Sequence, residues 1–388
     1  MKKINPGLSP FNGIFLFFAA ILFLLAGCHK NDHDIDFPNH PGKLKRNFSQ
    51  INLVANSGAY MATRQDPTLV NAWGLAFSSG GTAWPASQGG HVSQVYSSEG
   101  VEARPPVNIP SPAGPTGGNP TGIVFSGSTS DFKLPAPNNQ PARFIFVGVD
   151  GVLSAWNGGA GNNAMLIKNN SATSAYTGLA ISSADGANYL YAANFRARRI
   201  DVFDKDFKPV FMDFKDSWLP GGYSPFNIQA LGDKLYVMYA KVGPDGRDQA
   251  GLGNGFVDVF NTNGSFVKRF ASKGQLNSPW GIAKAPSNFF DDNEDDGDDQ
   301  QYGKQHGKNA ILVGNFGDGK INAYRTDGKF LGVLAKGKYP IVIKGLWALS
   351  FVPSTAVGID STRLYFTAGP RQERDGLFGY IKKQEKNY

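Results

Sequence analysis

The stretch Asn71-Ala72-Trp73-Gly74-Leu75-Ala76-Phe77 decides the fold, because its plan returns five more times along the chain. Each copy has an aromatic, Thr or Pro position, then a glycine position, then a short apolar run. The others are residues 119–125 (NPTGIVF), 175–181 (AYTGLAI), 224–230 (SPFNIQA), 278–283 (SPWGIA) and 345–351 (GLWALSF). Two copies depart from the plan, with Asn227 and Ala348 standing where the others have glycine. Asn is the residue that most readily shares glycine's positive φ. A left-handed backbone is therefore the expected reason for the glycine.

Downstream of every copy lies a second β-rich run: residues 82–86, 144–149, 189–194, 235–240, 311–315 and 364–368. A third follows at 92–96, 153–156, 200–203, 256–260, 321–324 and 377–381. Fourth runs are visible at 209–214, 266–270 and 330–334. Three to four strands recurring every 48 to 67 residues cannot bury both faces of one small sheet, so the sheets must stack around an axis. The fold class is all-β, a six-bladed β-propeller. Its last copy ends after three strands, and residues 48–55 (FSQINLVA) form a strand with no copy of their own. They are expected to supply the missing outer strand and close the ring. The 48 glycines, 24 prolines and 13% aromatics agree with many strands and turns.

The motif resembles NHL-type repeats. With AANFRARRIDVFD, PFNIQALGDKLYVMYAK, LNSPWGIAKAP and LVGNFGDGKINAY it is similar to an uncharacterised family of secreted six-bladed propellers, over residues 50–381. Some members of that family carry a PEP-CTERM sorting tail, whereas this sequence finishes KKQEKNY. The resemblance implies the fold and no activity.

Residues 1–27 read as an export signal: Lys2 and Lys3, an apolar run from Ile14 to Leu25, then Ala26 and Gly27. That run is shorter than the roughly 20 residues that span a bilayer. Leu25-Ala26-Gly27-Cys28 resembles a lipoprotein lipobox, which implies a lipid on Cys28, the single cysteine of the chain. Residues 28–46 read as a flexible tether and 47–388 as the propeller. The expected location is the cell envelope, at the outer membrane or cell surface, since His29 rather than Asp follows the cysteine. The net charge of +7 comes from dispersed residues. Nucleic acid is therefore no expected partner, and a monomer is expected.

In a propeller the turns that enter the inner strands surround the channel mouth. Trp73, Phe226, Trp280 and Trp347, with Thr121 and Thr177, belong there. Asn194, Arg196, Lys241, Asn315 and Asp318 are expected beside them, along with charges such as Arg247, Asp248, Arg371 and Glu373. One reading is a ligand site whose rings stack on a flat group while cations orient it. The other is that the rings wedge between blades. No catalytic residue is assigned, since the chain lacks Gly-x-Ser-x-Gly, His-Glu-x-x-His and paired-cysteine motifs.

Ca²⁺ is the one cofactor the residues admit. Strand-end asparagines are one source of ligands, and Asp292, Glu294 and Asp296 in the acidic run 291–299 are another. The Pro-rich loop 126–143 reads as mobile surface. The function expected is a lipid-anchored propeller that binds a glycan, peptide or protein. The alternatives are a Ca²⁺-dependent hydrolase or lyase at the channel mouth, and a structural scaffold in an envelope complex.

Overall fold

Each motif opens the innermost strand of an antiparallel sheet in the computed structural model, which describes residues 47–290 and 309–384. The described residues form one compact unit. The export signal (1–27), Cys28 and the tether (28–46) lie outside the described residues, as do Asp292, Glu294 and Asp296.

Six blades are present. The first runs from its inner strand Ala72–Phe77 through Ala83–Ser87 and Val92–Ser93 to Val107–Asn108. Blades two to five begin at Pro120–Phe125, Tyr176–Ala184, Tyr223–Leu231 and Pro279–Lys284, each with four strands in chain order. The sixth has inner strand Leu346–Ser350, then Leu364–Ala368 and Leu377–Lys383, and its fourth strand is Phe48–Ala55, edged by the short parallel strand Arg64–Gln65. Strand Phe48–Ala55 pairs antiparallel from Phe48↔Lys383 to Ala55↔Leu377. The two ends of the ring are thus sewn together by backbone hydrogen bonds, as the orphan strand required.

Side chains alternate along a strand, so each blade buries two faces against two neighbours. In blade four Leu235, Val237 and Tyr239 face blade three, while Tyr236 and Met238 face blade five. In blade two Phe144 and Phe146 face blade one, while Ile145 and Val147 face blade three. This double burial explains why the second strands read as unbroken apolar runs. Each such side chain contributes about 1.5–3 kcal/mol of burial.

The motif glycine has a different cause from the one expected. Gly74, Gly122, Gly178 and Gly281 all have ordinary negative φ, and so does Asn227. What they provide is room. A Cβ on Gly74 would lie 2.4 Å from the Thr121 carbonyl oxygen, and one on Gly281 would lie 2.5 Å from that of Trp347. Gly122 and Gly178 are met as closely by Leu179 N and Asn227 Oδ1, at 2.5 and 2.0 Å. In every case the intruding atom belongs to the next blade. The glycines let the inner strands converge on the axis.

Where the glycine is missing, a side chain makes the link. Asn227 Nδ2 donates to the Trp280 carbonyl at 2.8 Å, and in blade six the Thr367 hydroxyl donates to that of Trp73.

Two further expectations change. Only Pro209–Val210 of the run 209–214 pairs with the sheet. The loop 126–143 is anchored rather than loose, with Phe132, Leu134 and Ala142 buried between blades two and three.

Candidate functional site

The channel differs at its two ends. At the face where the inner strands begin, Trp73, Phe226, Trp280 and Trp347 pack with Phe195 and Phe316 into one buried cluster. Trp347 stacks on Trp73 at 3.6 Å and on Phe316 at 3.9 Å, and Trp280 meets both tryptophans edge-on. None of the four predicted rings is more than 5% exposed. With Phe195 and Phe316 they form a plug contributed by blades one, three, four, five and six, so their faces are taken by one another and offer no platform for a ligand. The reason is size: the ring leaves an axial space that water would otherwise fill, and large aromatics close it. At the other end the channel opens as a cavity of about 200 Å³ lined by Gly74, Gly122, Leu179, Gln229 and Leu349 among others.

Asn194 and Asn315 turn out to be matching braces. Asn194 Nδ2 donates to Ser174 Oγ and Asp201 Oδ2, at 2.9 and 2.8 Å, and its Oδ1 accepts from the Ala175 and Ala197 amides. Asn315 does the same work in blade five, donating to Gln275 O (2.8 Å) and Asp318 Oδ1 (3.1 Å) and accepting from the Asn277 amide. Both are fully buried, with both amide protons donated and the carbonyl oxygen accepting in each. Asp318 is further held by Lys320 at 3.2 Å. Thr121 and Thr177 are buried too and donate to backbone carbonyls. Arg196 is exposed and donates to Ser171 O at 3.3 Å, and Lys241 ends the second strand of blade four, half-buried. The expected sites therefore separate into a plug, two braces and peripheral cations.

Above the plug lies a polar belt. Trp347 Nε1 donates to Asn71 Oδ1 at 2.9 Å, and Asn71 Nδ2 donates to Gln88 Oε1 and Glu373 Oε2, both at 3.0 Å. Gln88 continues to Asn119 Oδ1 of blade two at 3.1 Å. Glu373 is also ion-paired with Arg247 of blade four. Blades one, two, four and six are thus joined across the mouth.

Glu373, which bonds both Asn71 and Arg247, sits on an unusual backbone. Arg371 and Gln372 have φ/ψ of 54°/47° and 57°/50°, and Glu373 has a φ of 66°. Three successive left-handed residues with side chains cost about 1–2 kcal/mol each. The turn is held by Gly369 and Gly376, whose Cβ positions would fall 2.1 Å from Asn71 Oδ1 and 1.9 Å from the Leu69 carbonyl. Asp375 accepts from Tyr60 and Asn56 and pairs with Arg371 at 3.3 Å. Burial alone would raise the Asp375 carboxyl, but these donors outweigh it and hold it below its usual range. Tyr60 follows the closing strand, so ring closure and the left-handed turn are tied together.

Next to Arg247, burial raises the Asp248 carboxyl above its usual value against the opposing pull of Ser278 and Arg247. Its Oδ2 and Trp73 Nε1 are buried and lack hydrogen-bond partners. Sequence reading had placed Arg247, Asp248 and Glu373 on mouth loops without joining them. No glycine or asparagine within residues 371–373 marks the left-handed turn. Among the described residues no group of three or more His, Cys, Asp or Glu side chains gathers as a metal site. His91 Nδ1 lies 2.9 Å from the Gly118 carbonyl.

Two uncharacterised proteins of Acanthamoeba polyphaga mimivirus are each 30% identical to this chain. One aligns over 354 residues, 87% of both chains, and the other over 351, 87% of this chain and 81% of its own. The chain belongs to their family. No protein-family model matches it, so the likeness to NHL-type repeats stays a likeness of motif. Among solved structures, a gluconolactonase from Xanthomonas campestris is 14% identical, covering 81% of this chain and 88% of its own with a TM-score of 0.46. A streptogramin B lyase is 12% identical (87% and 97%, TM-score 0.48), and the WD40 β-propeller domain of Doa1 is 10% identical (87% and 98%, TM-score 0.46). At such identities and TM-scores no activity passes from them to this chain.

Proposed function

We propose that this chain is a lipid-anchored propeller of the cell envelope that binds a peptide or protein partner through the rim of its plugged mouth. The observation that carries the reading is the left-handed turn 371–373, fixed by its two glycines so that Glu373 projects over the plug. Costly backbone of this kind persists where a side chain must be held in one place. The Arg247–Glu373 pair it makes is largely open to solvent on the arginine side. Such pairs are worth about 0–1 kcal/mol, so a partner's charge can replace either member at little cost. Burial of all four axial rings removes the basis for stacking on a sugar. That favours a peptide or protein over a glycan.

The test is a peptide-library and glycan-array screen with the chain freed of residues 1–46, alongside Glu373→Gln and Arg247→Ala. Peptide binders lost in both variants support the reading. Binders indifferent to both would move the site elsewhere on the ring. Placement in the envelope rests on Leu-Ala-Gly-Cys28: palmitate should label the wild-type chain and not Cys28→Ala, and equal labelling removes the anchor.

A hydrolytic reading has one observation in its favour, the Asp248 carboxyl raised by burial beside Ser278. Turnover of a lactone or ester panel that Asp248→Asn abolishes, with or without Ca²⁺, would establish it in place of simple binding.

A further inference from the structure

The connector from blade three to blade four carries an unexplained pair of side chains. After Val210 the chain leaves the sheet, and through residue 217 exposed and half-buried positions alternate. The inward set is anchored. Met212, Phe214 and Leu219 pack on the core between the two blades, and the Phe214 ring lies 5.7 Å from Tyr191 and 5.3 Å from Phe260. Asp216, its side chain 1% exposed, is ion-paired with Arg269 of the blade-four outer strand. The outward set includes Phe211, 90% exposed, and beyond it Trp218 is 85% exposed. Phe266 and Val267, also exposed, begin the adjoining outer strand. The Phe266 ring reaches Phe260, on which Phe214 also packs. A pinned connector thus holds two large aromatics out in water beside further apolar surface.

We propose that this edge contacts a phospholipid bilayer, with Phe211 and Trp218 seated in the interfacial layer. Trp and Phe favour that layer because the ring is apolar while the indole N–H still finds a polar partner. Lys208 and Lys215, both exposed, have stems long enough to keep their charges at headgroup level. Exposed acidic residues such as Asp206 and Asp213 balance them, so the contact is apolar rather than a polybasic patch. The choice of a bilayer over a protein rests on the Cys28 lipid. That cysteine precedes Asn47 by 19 residues, a segment that spans at most about 65 Å. A ring held so close meets the surface at high effective concentration, and a two-residue contact suffices.

The protein offers its own probe. Of its six tryptophans, Trp73, Trp84, Trp156, Trp280 and Trp347 are buried and Trp218 alone is exposed. The full chain is mixed with vesicles of phosphatidylcholine brominated on the acyl chain, next to Trp218→Phe, Phe211→Ser and Cys28→Ala. The expected result is a drop in wild-type emission that Trp218→Phe abolishes and Phe211→Ser reduces several-fold, with Trp218 shielded from acrylamide on the vesicles. Emission untouched by the bromines, with Trp218 still open to acrylamide, overturns the proposal whether or not the chain floats with the vesicles. Flotation and palmitate labelling that do not depend on Cys28 overturn the anchor instead, so the two failures are told apart.

Discussion

The centre of the ring and its rim are fastened by opposite means. At the centre, indole and phenyl rings fill the axis and bare glycines let backbones touch. Nothing there titrates. At the rim between blades three and four, Arg269 binds two carboxylates, Asp216 and Asp258, in a nearly buried cluster. Two acids share one base, so burial and the neighbouring Asp216 lift the Asp258 carboxyl to about 7 against the pull of Arg269. The hydroxyl of Tyr239 near it is raised well above its ordinary value, by burial first. The lesson is that apolar closure is indifferent to pH, whereas a charged fastening is conditional.

The sharpest way to break the comparison is at the plug. Trp347→Ala should cost about 3–5 kcal/mol, read as a lowered urea midpoint, with the loss unchanged between pH 5 and 8. Gly281→Ala comes next. Its new methyl would meet the Trp347 carbonyl at 2.5 Å, and overpacking of that kind costs about 1–3 kcal/mol. A stability equal to wild type would show that inner-strand convergence is not what the motif glycine serves.

At the rim the sign reverses. An aspartate whose folded value lies above its ordinary 3.8 favours folding most when protonated. Its contribution is present below pH 4 and drains away as pH rises to about 7. Asp258→Asn should therefore be more stable than wild type at pH 8, by on the order of 1 kcal/mol, with the advantage shrinking as pH falls toward 4. An advantage that grew on acidification would contradict the assignment. The smallest effect belongs to the mouth: Glu373→Gln should change stability by less than about 1 kcal/mol while abolishing partner binding. Large unfolding instead would make Glu373 a structural strut.

How far the sequence could be read follows from the range of each interaction. The six motifs, the alternating apolar strands and the orphan strand 48–55 are local patterns, and each reports burial of one short segment. They were enough to give six blades and the ring closure. The motif glycine was located correctly but explained by its own backbone, because its true partner is an atom of the next blade, 47 to 66 residues away along the chain. Asn194 and Asn315 looked like ligands because a sequence shows a polar side chain and not the three or four groups that already occupy it.

What the sequence determined by itself is therefore the repeat, the blade count and the closing strand. Only the tertiary structure decided that four aromatics plug the axis, that Glu373 rides a left-handed turn against blade one, and that Arg269 latches the connector bearing Phe211 and Trp218. The physical reason is that a repeat records what every blade does alike. Plug, turn and latch arise where different blades meet, and those meetings exist only once the ring has closed.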